Sequence, residues 1–208
     1  MKTTHPLVPW LGALVLAAAL LVRLAYLADS ADQPAFHAPI IDGATYDALA
    51  RQPLTPRGQL HDIFFWQSPF YPFFLTLVYR LTHGSMLAAR LVQAVIGALT
   101  CLLTYRLATR LFSSRTGLVA GGITAGYSLL FFYDVELMGT GLAVFWMIAL
   151  FNLLLDARDR PNAATLALLG ATGACGLLTH PTLLFPFAAG CAWWTFRAAR
   201  SQSFRALG

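Results

Sequence analysis

The stretch "PFYPFFLTLVYRLTHG", residues 69–84, decides how many times this chain crosses a membrane. It is apolar enough to suggest a span. Its helical part, however, is about 14 residues, or roughly 21 Å at ~1.5 Å per residue, whereas ~30 Å of hydrocarbon asks for about 20 residues. The basic residues give an independent test. If 69–82 does not span, Lys2, Arg106, Arg110, Arg115, Arg158, Arg160, Arg197, Arg200 and Arg205 all fall on one side, nine of the fourteen Lys and Arg. Such a bias marks the cytoplasm. If it does span, the basic ends of the later apolar runs scatter. We therefore read 69–82 as a juxtamembrane or re-entrant helix at the outer surface.

The rest of the chain reads as membrane protein too. It is 58% hydrophobic and only 11% charged, with a mean hydropathy of +0.63, far from a soluble domain of this size. The net charge of +5 comes from isolated Arg between apolar runs, not from a continuous face, which argues against nucleic acid. Cys101, Cys175 and Cys191 lie inside apolar stretches without CxxC spacing and read as small buried hydrophobes. The run 7–28 is long for a signal-peptide core and is followed by further runs, so it reads as an uncleaved anchor. The later runs are 86–112, 116–133, 138–155, 163–178 and 182–196, the last two parted at "THPT" (179–182) by Pro181. The expectation is a single all-α polytopic transmembrane domain with six spans, cytoplasmic termini and a long outer loop, 29–85.

Seven acids then fall outside: Asp29, Asp32, Asp42, Asp47, Asp62, Asp134 and Glu136. Acids contribute little to orientation, so the bias asks for another explanation. In "DGATYDALA" (42–50) Tyr46, Leu49 and Ala50 share one helical face, Gly43 lets the backbone turn, and Asp42 sits at or near the N-cap. Capping is the ordinary role of such an Asp. In the same way, Asp134 reads as a cap of the fourth span and Glu136 as a solvated interfacial acid. Gly122 with Gly126, and Gly170 with Ala174, fit close helix packing in lipid. His37, His61, His83 and His180 show no metal-ligand spacing, and no P-loop, GxSxG or dinucleotide fingerprint occurs.

The ordered set of segments is more specific than its parts. An outer loop opening "D-G-x-x-Y" leads to "QSPFYPFFLTLVYRL" (67–81), "RLVQ" (90–93), a basic "RLFSSR" end (110–115), an outer "FYDVEL" turn (132–137) and "LTHPT" (178–182). This order resembles the GT-C class of membrane glycosyltransferases, above all the bacterial family related to protein O-mannosyltransferases and the lipid A aminoarabinose transferase. His180 stands where that family usually has Arg or Lys. The resemblance covers nearly the whole chain and implies a GT-C-like helix bundle with short juxtamembrane helices in the first loop. It also implies an inverting hexosyl or pentosyl transfer from a polyprenyl-phosphate donor to a hydroxyl acceptor on a protein, lipid or glycan. The enzyme would lie in the inner (plasma) membrane, with its site facing the periplasm or exterior.

The family's first-loop acid matches Asp42, which would be the general base. Asp134 or Glu136 would position the acceptor, Arg51, Arg57 and His61 would meet the phosphate, and Tyr46 and Gln67 would complete the substrate contacts. No metal or other cofactor is indicated, although a divalent ion is compatible with the chemistry. Relatives carry more spans, so the chain reads as the N-terminal part of a longer enzyme. Two other classes stand beside this reading. A transporter or flippase for a lipid-linked substrate should place polar groups near the midplane on broken helices, and a non-catalytic membrane subunit would have no use for an acid-rich loop.

Overall fold

The structure, a computed structural model, describes residues 8–52, 68–159 and 161–206, with side chains described up to 196. The described residues form helices joined by short turns, without a strand. Three long helices, α1 (Pro9–Ser30), α5 (Met86–Leu111) and α8 (Thr140–Asp159), are each long and apolar enough to cross a membrane. The protein is an all-α polytopic membrane protein. Between α1 and α5 lie the short helices α2 (Pro34–His37), α3 (Asp42–Arg51) and α4 (Phe70–Leu81), and α9 (Ala163–Thr179), a 3-10 turn (Pro181–Leu183) and α10 (Leu184–Ala206) complete the chain. We call the end carrying α3 and α4 the upper end. At 12 residues, α4 spans only ~18 Å. Tyr71, Leu75, Val78 and Tyr79 bury its inner face.

The run 116–133, expected as one span, is built from two helices, α6 (Ser114–Gly126) and α7 (Ser128–Val135), bent by 56°. Gly126 is a poor helix former, and Tyr127 adopts extended backbone (φ −75°, ψ 111°), which opens the hydrogen-bond ladder. The bend turns α7 inward. Helix starts follow local chemistry: Ser85, Ser113 and Asn162 accept backbone N–H bonds at the heads of α5, α6 and α9.

The expected small-residue stripes are one position off. A Cβ at Gly122, Gly126 or Gly170 would meet nothing within 4 Å, and Ala174 is exposed. Contact falls instead on Gly117 and Gly121, which press against Thr109, Tyr105 and Val15, and on Gly173 and Gly176, which press against Phe187 and Trp146. Each residue advances a helix by ~100°, so a one-residue error moves a stripe from the interface to the outside.

At the lower end, Arg106 and Arg110 bind Asp156, and Arg110 also binds Asp159. The two acids expected on the cytoplasmic side are thus the partners of its arginines. Among expected site residues, Arg57, His61 and Gln67 lie outside the described residues.

Candidate active site at the upper end

Helix α3 is fixed along its inner face. Gly43 rests against Pro39 and Leu137, Tyr46 meets Tyr71 edge-on with ring centroids 4.8 Å apart, and Thr76 Oγ1 donates to the Ala50 carbonyl at 3.3 Å. The Tyr79 hydroxyl donates to Asp47 Oδ1 at 2.5 Å, and Arg51 Nε donates to Oδ2 at 2.9 Å. Asp47 is therefore a structural acid. Burial pushes the Tyr79 phenol well above its ordinary range, with the hydrogen bond to Asp47 acting in the same direction.

Asp42 is a different case. It is the first helical residue and not the cap; the N-cap is Ile41, at φ 53°. A β-branched residue at positive φ is strained by ~1–3 kcal/mol and persists only when its surroundings over-determine it. The turn expected of Gly43 is thus made by Ile41, and Gly43 serves by being small where Leu137 approaches. The Asp42 carboxylate is exposed and makes no hydrogen bond or ion pair with a described residue. It lies one helical turn before Tyr46, whose phenol is raised first by burial and then by the Asp42 charge.

The 134–139 turn beside α3 is held from below. Arg90 and Gln93, one turn apart on α5, reach consecutive carbonyls: Arg90 Nε donates to Val135 at 3.1 Å and Gln93 Nε2 donates to Glu136 at 2.8 Å. Gln93 Oε1 also accepts the Tyr71 hydroxyl at 3.0 Å. Arg90 further donates to the Phe36 carbonyl and lies 4.0 Å over the Phe36 ring. The "RLVQ" segment thus ties α2, α4 and the acidic turn to one helix. The Glu136 side chain is half-buried on that turn. Gly139 meets Tyr71 and Thr179, which brings the His180 turn to the same end. There the exposed His180 ring shares a 2.7 Å hydrogen bond with Thr182.

Asp134 does not cap α8. It is 4% exposed and faces inward from α7, where Arg23 Nε and Nη2 reach its Oδ2 at 2.8 and 2.7 Å. Any Cβ on Gly97 would collide with this pair, and one on Gly141 would strike the other carboxylate oxygen. Arg23 and Arg90 both stand inside apolar stretches of the sequence, where nothing nearby names a partner. The available signal was the cost of an arginine inside an apolar run, which demands a partner. Among the described residues no group of three or more His, Cys, Asp or Glu could hold a metal ion.

A family model described as dolichyl-phosphate-mannose-protein mannosyltransferase matches residues 66–206, well over half of the chain. The chain belongs to this family. It is accordingly a membrane glycosyltransferase in its general class, working with a lipid-linked sugar donor and an acceptor. The match takes in α4, the Arg90–Gln93 clamp, the acidic turn and the His180 turn, while α3 with Asp42 precedes it. Neither the comparison with curated proteins nor that with solved structures returns a match.

Proposed function

We propose that the protein transfers a sugar from a polyprenyl-phosphate donor to a hydroxyl acceptor at the outer face of the membrane, with Asp42 as general base. One observation carries this reading. Asp47 and Asp134 are held by neighbouring side chains, whereas Asp42 is exposed at the head of an immobilised helix. In the proposed step the Asp42 carboxylate takes the acceptor O–H proton and the acceptor oxygen bonds to C1 of the sugar. The C1–O bond to phosphate breaks on the opposite face, its electron pair leaving with the lipid phosphate, so the anomeric centre inverts. A phosphate leaves as an anion, so a second carboxylic acid is not required.

Losing a positioned base typically lowers a rate ~10²–10⁴-fold. In the enzyme assayed with a synthetic polyprenyl-phosphate sugar, Asp42→Asn should lose turnover on that scale while donor binding persists. Asp47→Asn should be far milder. If Asp42→Asn retained near-normal turnover and Glu136→Gln stopped it, the base would belong to the 134–139 turn.

The transporter reading gains one observation, the bent α6–α7 pair with a buried charge on it. That charge is already matched: Asp134 is boxed by Arg23, Gly97 and Gly141, leaving little room for a substrate at its carboxylate. Counterflow of a lipid-linked sugar without chemical transfer would support it against the transferase reading.

A further inference from the structure

At the far end of α3 from Asp42 lies an open pocket of about 520 Å³ lined by Arg51, Gln52, Tyr79, Arg80, His83 and Gly84. Asp42 and Arg51 stand at opposite ends of α3, roughly 14 Å apart along its axis at ~1.5 Å per residue. The Arg51 guanidinium is pre-set: it bonds Asp47 at 2.9 Å and the Gly84 carbonyl at 3.3 Å, and lies 4.8 Å over the Tyr79 ring. Its side chain is still 44% exposed. Asp47 offsets this one charge. Arg80 and His83 are exposed, and neither forms an ion pair with a described residue.

The chain turn that presents them is specific. Gly84 N–H closes on the Tyr79 carbonyl at 2.8 Å, leaving His83 at φ 53° where a helix-ending turn ordinarily carries glycine. The pocket's flank is apolar. Leu77 and Leu81, 59% and 73% exposed, share the outer face of α4 with Arg80 through i, i+3 and i+4 spacing.

Cations with a rigid, partly exposed guanidinium fork suit a phosphate, and leucines on the same face of a helix too short to span suit acyl chains. We infer that this pocket binds the phosphate of an anionic lipid headgroup, at a site separate from Asp42.

The test is native mass spectrometry of the purified protein in neutral detergent, titrated with phosphatidylglycerol, with inorganic phosphate as competitor. The wild type should retain one phosphatidylglycerol saturably. Arg80→Gln removes one charge-assisted bond from an exposed side chain and should weaken retention roughly tenfold; Leu77→Ser with Leu81→Ser should weaken it as well. Arg115→Gln, which removes an equal charge at the opposite end of α5, should change nothing. Equal weakening by Arg80→Gln and Arg115→Gln would mean diffuse charge and overturn the site. Full displacement by millimolar inorganic phosphate, with the leucine variant binding as wild type, would mean a soluble-phosphate site and overturn the lipid assignment. None of these substitutions touches Asp42, so failure here leaves the sugar-transfer reading to its own test.

Discussion

Arg23 and Asp134 are 111 residues apart in sequence and joined in the interior by two hydrogen-bonding contacts to one oxygen. Arg23 Nη1 turns back to the Ala19 carbonyl at 3.1 Å, which uses a further donor within α1. Removing one partner of a buried pair leaves the other as an uncompensated charge, typically at ~3–5 kcal/mol, whereas replacing both with apolar residues is often neutral. Thermal unfolding of the purified protein should therefore show Arg23→Met and Asp134→Leu each strongly destabilised, and the double variant well above either single. Additive losses in the double variant would show that the pair is not coupled. Asp134 was legible as an acid beside a span, but its partner was not. An arginine and an aspartate in separate apolar runs can be matched only once the bend at Tyr127 has aimed α7 inward.

At the scale of elements, the informative failure is the glycine stripe on α6. A Cβ added at Gly121 would lie 2.9 Å from Val15 and 3.2 Å from Tyr105, while one added at Gly122 would meet nothing within 4 Å. Overpacking a close helix interface costs ~1–3 kcal/mol. Gly121→Leu should lower the unfolding temperature accordingly, and Gly122→Leu should leave it near that of the wild type; the reverse order would put the α1–α6 contact on the wrong face. Periodicity announced that α6 carries small residues, but two stripes a residue apart are equally regular. Only the neighbours α1 and α5 distinguish them. Helix α3 was easier to foresee, because Tyr46, Leu49 and Ala50 already formed a face. Its strained entry at Ile41 was not, since a β-branched residue is among the last expected at positive φ.

For the whole molecule, the arrangement demands that the two ends of α5 lie on opposite sides of the membrane. Ser85 and Ser113 flank that helix of 26 residues, ~39 Å long. In a background without native cysteines, Ser85→Cys should react with an impermeant thiol reagent added outside intact cells, and Ser113→Cys only after permeabilisation. The opposite pattern would place Asp42 in the cytoplasm and remove the proposed donor geometry. Composition, apolar run lengths and the short reach of 69–84 were sufficient for an all-α membrane bundle, because transfer into lipid depends on summed apolarity and length, which are properties of the linear chain. The order of "QSPFYP", "RLVQ", "FYDVEL" and "LTHPT" was likewise enough for the family. What the sequence left open was which acid is held and which is exposed, since Asp42, Asp47 and Asp134 look alike until their neighbours are known. Tyr79, Arg51 and Arg23 supply that distinction from 32, 4 and 111 residues away, because burial and pairing are set by what folding brings into contact.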